Sequence, residues 1–138
     1  MFVDRRPKRL CLFAALLVAG LGTVGCGSGM GDVQGKVTIE GQPAANLNVT
    51  FTDPVKHVRA TGVTDAAGNY RLSTHAKDDG APVGEYKVAV NQPGPTDSSE
   101  TKAPPRLFPD HYERAETSGL MCAVKSGQNT FDIELPKQ

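Results

Sequence analysis

The sequence predicts one all-β domain, a seven-stranded β-sandwich, behind an apolar leader. Beyond residue 32, apolar and polar residues alternate with a period of two in one short run after another. Most of the 15 glycines and 10 prolines in 138 residues punctuate these runs as turn signals. No segment after the leader carries a sustained apolar period of 3.6 residues, so no amphipathic helix competes with the strand reading.

The runs follow in order. Val33, Gly35, Val37 and Ile39 alternate with Gln34, Lys36, Thr38 and Glu40. After the turn signal Gly41-Gln42-Pro43, Leu47, Val49 and Phe51 repeat the pattern. The Asp53-Pro54 break leads to a shorter run, Ala60 to Thr64, and Tyr70 and Leu72 form the fourth. Tyr86, Val88 and Val90 make the fifth, Leu120, Cys122 and Val124 the sixth, and Phe131, Ile133 and Leu135 the seventh. Spacings of roughly 8–15 residues between strands indicate a sandwich or barrel. Residues 33–136 are ample for one such unit. On this alternation Phe131 faces inward, and Phe131→Ala is expected to cost roughly 3–5 kcal/mol.

The first 25 residues have the parts of a secretion signal peptide. Arg5, Arg6, Lys8 and Arg9 form a basic head, and Leu10 to Val24 is an apolar run without charge. That run is shorter than the roughly 20 residues that span a bilayer. Thr23-Val24-Gly25-Cys26 resembles a lipobox, although Leu is usual where Thr23 stands. Cleavage before Cys26 and acylation of its thiol are therefore expected. Two or three acyl chains give stable membrane anchoring, at about 0.8 kcal/mol per buried methylene. Residues 26–32 read as a flexible tether, rich in glycine. Gly27 is not the Asp that retains some lipoproteins at an inner membrane. The expected location is the cell envelope, lipid-anchored at the outer membrane or a periplasmic face, with the inner membrane left open.

Setting aside the four bases and one acid of the leader leaves 11 basic and 14 acidic side chains, a net charge of −3. Such a surface gains little from counterion release, so nucleic acid is not an expected partner. Cys11 leaves with the leader and Cys26 carries lipid, so Cys122 has no partner for a disulfide within the mature chain.

No motif for catalysis or metal binding emerges. His57, His75 and His111 are 18 and 36 residues apart, matching no local ligand spacing. Asp78-Asp79 with Asp65 lacks the alternating 12-residue pattern of a calcium loop. There is no G-x-S-x-G and no H-E-x-x-H. Cys122 shares the inward face of Leu120 and Val124, where a thiol is usually inert. Asn48-Val49-Thr50 is a formal glycosylation sequon lying in a strand, without expected consequence. Residues 91–118 are unusual: 28 residues with five prolines. They read as an insertion clasped by Leu107, Phe108 and Tyr112, or as a binding loop at the sandwich end.

Several motifs in order resemble a known family. These are Gly35-Lys36-Val37-Thr38, Gly41-Gln42-Pro43-Ala44, Thr64-Asp65-Ala66-Ala67-Gly68-Asn69-Tyr70 and Gly84-Glu85-Tyr86-Lys87-Val88. Together they look like the carboxypeptidase regulatory-like domain, a transthyretin-like (prealbumin-like, Ig-like) β-sandwich. Tyr112, Thr117-Ser118-Gly119-Leu120 and Asn129-Thr130-Phe131-Asp132-Ile133-Glu134-Leu135 are similar to small transthyretin-like lipoproteins of planctomycete-type bacteria. The resemblance covers about residues 33–136 and is to the accessory domain, not to the zinc-bearing catalytic one. Physical chemistry accounts for its strongest motif: Asp65 suits an Asx-turn and Gly68 a positive φ. Hydroxyisourate hydrolase shares the transthyretin-like fold but ends in Tyr-Arg-Gly-Ser, whereas here the last residues are Leu135-Pro136-Lys137-Gln138.

The expected function is that of a non-catalytic, lipid-anchored envelope protein, a structural or binding module without cofactor. Its expected partners are the membrane and an envelope protein or glycan. The alternative is carbohydrate or small-molecule binding through residues 91–118; a hydroxyisourate-type hydrolase stands behind both.

Overall fold

A computed structural model describes residues 29–94 and 104–138. Residues 1–25, read from the sequence as a signal peptide, Cys26 and part of the proline-rich segment lie outside these residues. The chain forms β1 (Met30–Ile39), β2 (Gln42–Pro43), β3 (Asn48–Thr52), β4 (Arg59–Val63), β5 (Asn69–Arg71), β6 (Ala81–Pro82) and β7 (Gly84–Asn91). After a 3-10 helix (Asp110–Glu113) come β8 (Leu120–Val124), β9 (Gly127–Thr130) and β10 (Ile133–Leu135). Each of the seven apolar runs contains a strand, and β2, β6 and β9 are additional.

The strands make an all-β architecture of two sheets. One has the order β4-β3-β7-β8, antiparallel throughout. The other is built along β1. On one side β9 and β10 run parallel to it, with Val33 opposite Asn129 and Val37 opposite Ile133. On the other side β6, β5 and β2 lie in turn along its length, all antiparallel. A bridge between Thr61 and Ser73 joins the two sheets at one margin.

Alternation sets which residues are enclosed. Val33 and Val37 of β1, Val49 and Phe51 of β3, Tyr86, Val88 and Val90 of β7, and Ile133 and Leu135 of β10 form one core. Fully burying each such side chain contributes about 1.5–3 kcal/mol. Phe51 sits centrally, its ring 5.8 Å from Phe131, 6.1 Å from Tyr86 and 6.4 Å from Tyr70. Phe131 is only half-buried, because the strand is interrupted at Phe131 and Asp132.

Turn chemistry links the strands. Glu40 and Gly41 both have positive φ, 49° and 80°, as a two-residue hairpin between β1 and β2 requires. The Asp65 carboxylate accepts the N–H groups of Ala67 and Asn69, both at 2.9 Å, and Gly68 has φ 79°. This is the Asx-turn expected from that motif.

Two expectations need correction. Residues 30–32, read as tether, belong to β1: Met30 and Gly31 pair with Pro82 and Ala81. The glycine-rich composition concealed a strand whose small residues permit close packing, since a Cβ on Gly31 would lie 2.2 Å from the Lys125 carbonyl. Leu107, read as part of a hydrophobic clasp, is 42% exposed. Phe108 does enter the core and Tyr112 packs against it. The described part of this segment is tied to β7 by Asn91 Nδ2, which donates to the Glu113 carbonyl at 2.9 Å. Ser118, buried, donates to the Val88 carbonyl and accepts from the Leu120 N–H at 3.2 Å.

Candidate functional site

The residues weighed as sites from the sequence do not converge. His57, His75 and His111 are exposed in three different segments. Among the described residues no group of three His, Cys, Asp or Glu side chains is placed to hold a metal ion. Asp65 and Asp79 are committed to their own loops. Asp79 accepts the N–H groups of Thr74 at 2.6 Å and of His75 and Ala76 at 2.9 Å. Those bonds, led by that from Thr74, hold its carboxyl below the usual range. Cys122 is half-buried on the core-facing side of β8, and burial pushes its thiol up. Cys26 lies outside the described residues.

A different constellation stands at the end of the β3–β7–β8 sheet. Asp53 is the first residue beyond β3 and continues the inward parity of Val49 and Phe51. It brings a carboxylate to the margin of the core, where the residue is 3% exposed. The Asp-Pro break then bends the chain away. Asp53 Oδ1 accepts the N–H groups of Val55 at 2.8 Å and Lys56 at 2.9 Å, closing an Asx-type turn. The N–H of Lys56 lowers the Asp53 pKa most. Burial works against it, while the Val55 N–H and the charges of Lys56 and His57 add to the lowering.

β7 supplies the opposite wall. It begins at Gly84, where a Cβ would lie 2.9 Å from Asp53 Oδ2 and 3.4 Å from Lys56 Nζ. The glycine lets the carboxylate pack closely against the β7 backbone. Tyr86 is fully buried beside it and donates to the Pro82 carbonyl at 2.7 Å. Burial, and then the Asp53 charge, push the Tyr86 phenol up. The register sets Lys87 opposite Thr52 on one side and Met121 on the other. Val55 and Met121 stand 83% and 61% exposed at the rim. The result is a cleft of about 290 Å³ with a carboxylate at its floor and largely apolar walls.

Sequence reasoning did not find this cleft. The Asp53-Pro54 break was legible as a turn, but nothing local says that residues 53, 84 and 121 meet. That juxtaposition comes from the pairing of β3, β7 and β8.

The chain matches no protein-family model and no curated protein sequence. Among the described residues no helix is long and apolar enough to cross a membrane.

Proposed function

We propose that this protein is a non-catalytic module of the cell envelope, held at a membrane by lipid on Cys26, that binds or scaffolds an envelope component. The observation that carries the reading is the order of its parts. A basic head, a short apolar run and Thr23-Val24-Gly25-Cys26 stand directly before a β-rich domain. β1 starts at Met30, four residues after Cys26. Four residues span at most about 14 Å, so the anchor would keep the domain close to the bilayer surface. In this reading the domain is a carboxypeptidase regulatory-like, transthyretin-like sandwich of seven principal strands.

The non-catalytic part of the reading is supported by where the reactive groups lie. The histidines are dispersed, Asp65 and Asp79 accept backbone N–H groups, and the Cys122 thiol faces the core. For binding, the Asp53 cleft is favoured over the 91–118 segment, because Phe108 and Tyr112 serve the core.

Mass spectrometry of the N-terminal peptide from a membrane fraction tests the anchor. The expected species begins with an acylated Cys26. A chain with an unmodified Cys26 would contradict the proposal.

A further inference from the structure

We propose that the cleft between Asp53 and Met121 binds an uncharged, hydroxyl-bearing ring of monosaccharide size, one hydroxyl of which bridges Asp53 and Lys56. The proposal deepens the binding reading above and rests on it.

Asp53 is 3% exposed, yet only its Oδ1 takes hydrogen bonds from the turn. Among the described residues Oδ2 accepts none; it lies close against Gly84, and both residues line the cleft. Oδ2 is not sealed from solvent, so a ligand hydroxyl would take the place of water there.

Lys56 decides what kind of donor. Its Nζ gives one hydrogen bond to the Val83 carbonyl at 2.6 Å, and Lys56 lines the cleft beside Gly84. An ammonium has three N–H groups and no acceptor, whereas a carboxylate only accepts. A hydroxyl satisfies both, donating to Asp53 and accepting from Lys56. A cationic ligand would meet Lys56, and an anionic one would meet Asp53.

The walls decide the rest. Val55 and Met121, which line the cleft with Asp53, leave apolar surface in water. The C–H face of a sugar ring would cover it. The volume, about 290 Å³, lies at the lower end of ligand sites and suits one ring rather than a chain.

The test is an NMR titration of the full chain in nanodiscs, observing the ε-methyl of Met121 against that of Met30. The probes are N-acetylglucosamine, methyl β-glucopyranoside and n-butylammonium. A saturable shift of Met121 alone is expected with at least one sugar at millimolar concentration. Asp53→Asn and Lys56→Met should each weaken binding at least tenfold while leaving the circular dichroism spectrum unchanged. No saturable shift with either sugar overturns the proposal. So does saturation by n-butylammonium alone, or sugar affinity as high as wild type in both variants. The titration reads the cleft and not the anchor, so its failure is separable from loss of lipid at Cys26.

Discussion

The Tyr70 hydroxyl donates to the Phe131 carbonyl at the point where β9 has ended and β10 has not begun. Tyr70 is paired with Gly35 across β5 and β1. A Cβ on Gly35 would lie 1.9 Å from that same carbonyl oxygen. The last segment therefore crosses over Gly35, and Tyr70 reaches past the glycine to satisfy the backbone group left out of the ladder. Burial first, and then Cys122 and Asp132, raise the phenol's pKa, so it stays a donor.

Tyr70→Phe is expected to destabilise the fold by about 1–3 kcal/mol, the cost of a buried polar group losing its partner. Gly35→Ala is expected to cost more than about 3 kcal/mol, because backbone must move. Urea denaturation monitored by circular dichroism measures both. An unchanged midpoint for Gly35→Ala would refute the crossing.

Phe51, fully buried among three aromatic rings, is the residue whose truncation should hurt most. Phe51→Ala is expected to cost about 3–5 kcal/mol. Phe131→Ala, given that same range from alternation alone, should cost less, about 1–3 kcal/mol, since the residue is only partly buried. Equal losses in the same denaturation series would contradict this ranking.

Acid should loosen two loops. Asp53 and Asp79 have folded pKa values below the ordinary 3.8. Below 3.8 the unfolded chain binds more protons at these groups, so stability rises with pH there. Their contribution is present above the ordinary carboxylate range and is lost as pH falls through the lower folded values. Urea midpoints measured between about pH 5 and 2 should fall, and fall less steeply in Asp53→Asn and Asp79→Asn.

Cys122 is expected to react slowly. Its thiol is half-buried and its pKa is raised by that burial. Alkylation by iodoacetamide, followed on the Cys122 peptide by mass spectrometry, should be several-fold slower in the folded protein than in urea. Equal rates would place the thiol in solvent.

Much of the fold was legible because inward parity is written in single residues. Val49 and Phe51, or Tyr86 and Val88, declare a buried face by alternation, and Asp65 with Gly68 declares a turn. What was hidden depends on partners far along the chain. Met30-Gly31 reads as linker until Ala81 and Gly127 are beside it. Gly127–Thr130 has no apolar residue, and it is a strand because β1 offers it hydrogen bonds. Asp53 looked like a simple breaker. Only the register of β3, β7 and β8 turns it into the floor of a cleft.

Membrane fractionation of Cys26→Ser expressed in a bacterial host measures the anchor most directly. Wild-type protein is expected in the membrane pellet, released by detergent but not by high salt. The serine variant is expected in the soluble fraction or retained as uncleaved precursor. Mature Cys26→Ser chain pelleting as fully as wild type would contradict the lipid anchor and the envelope role built on it.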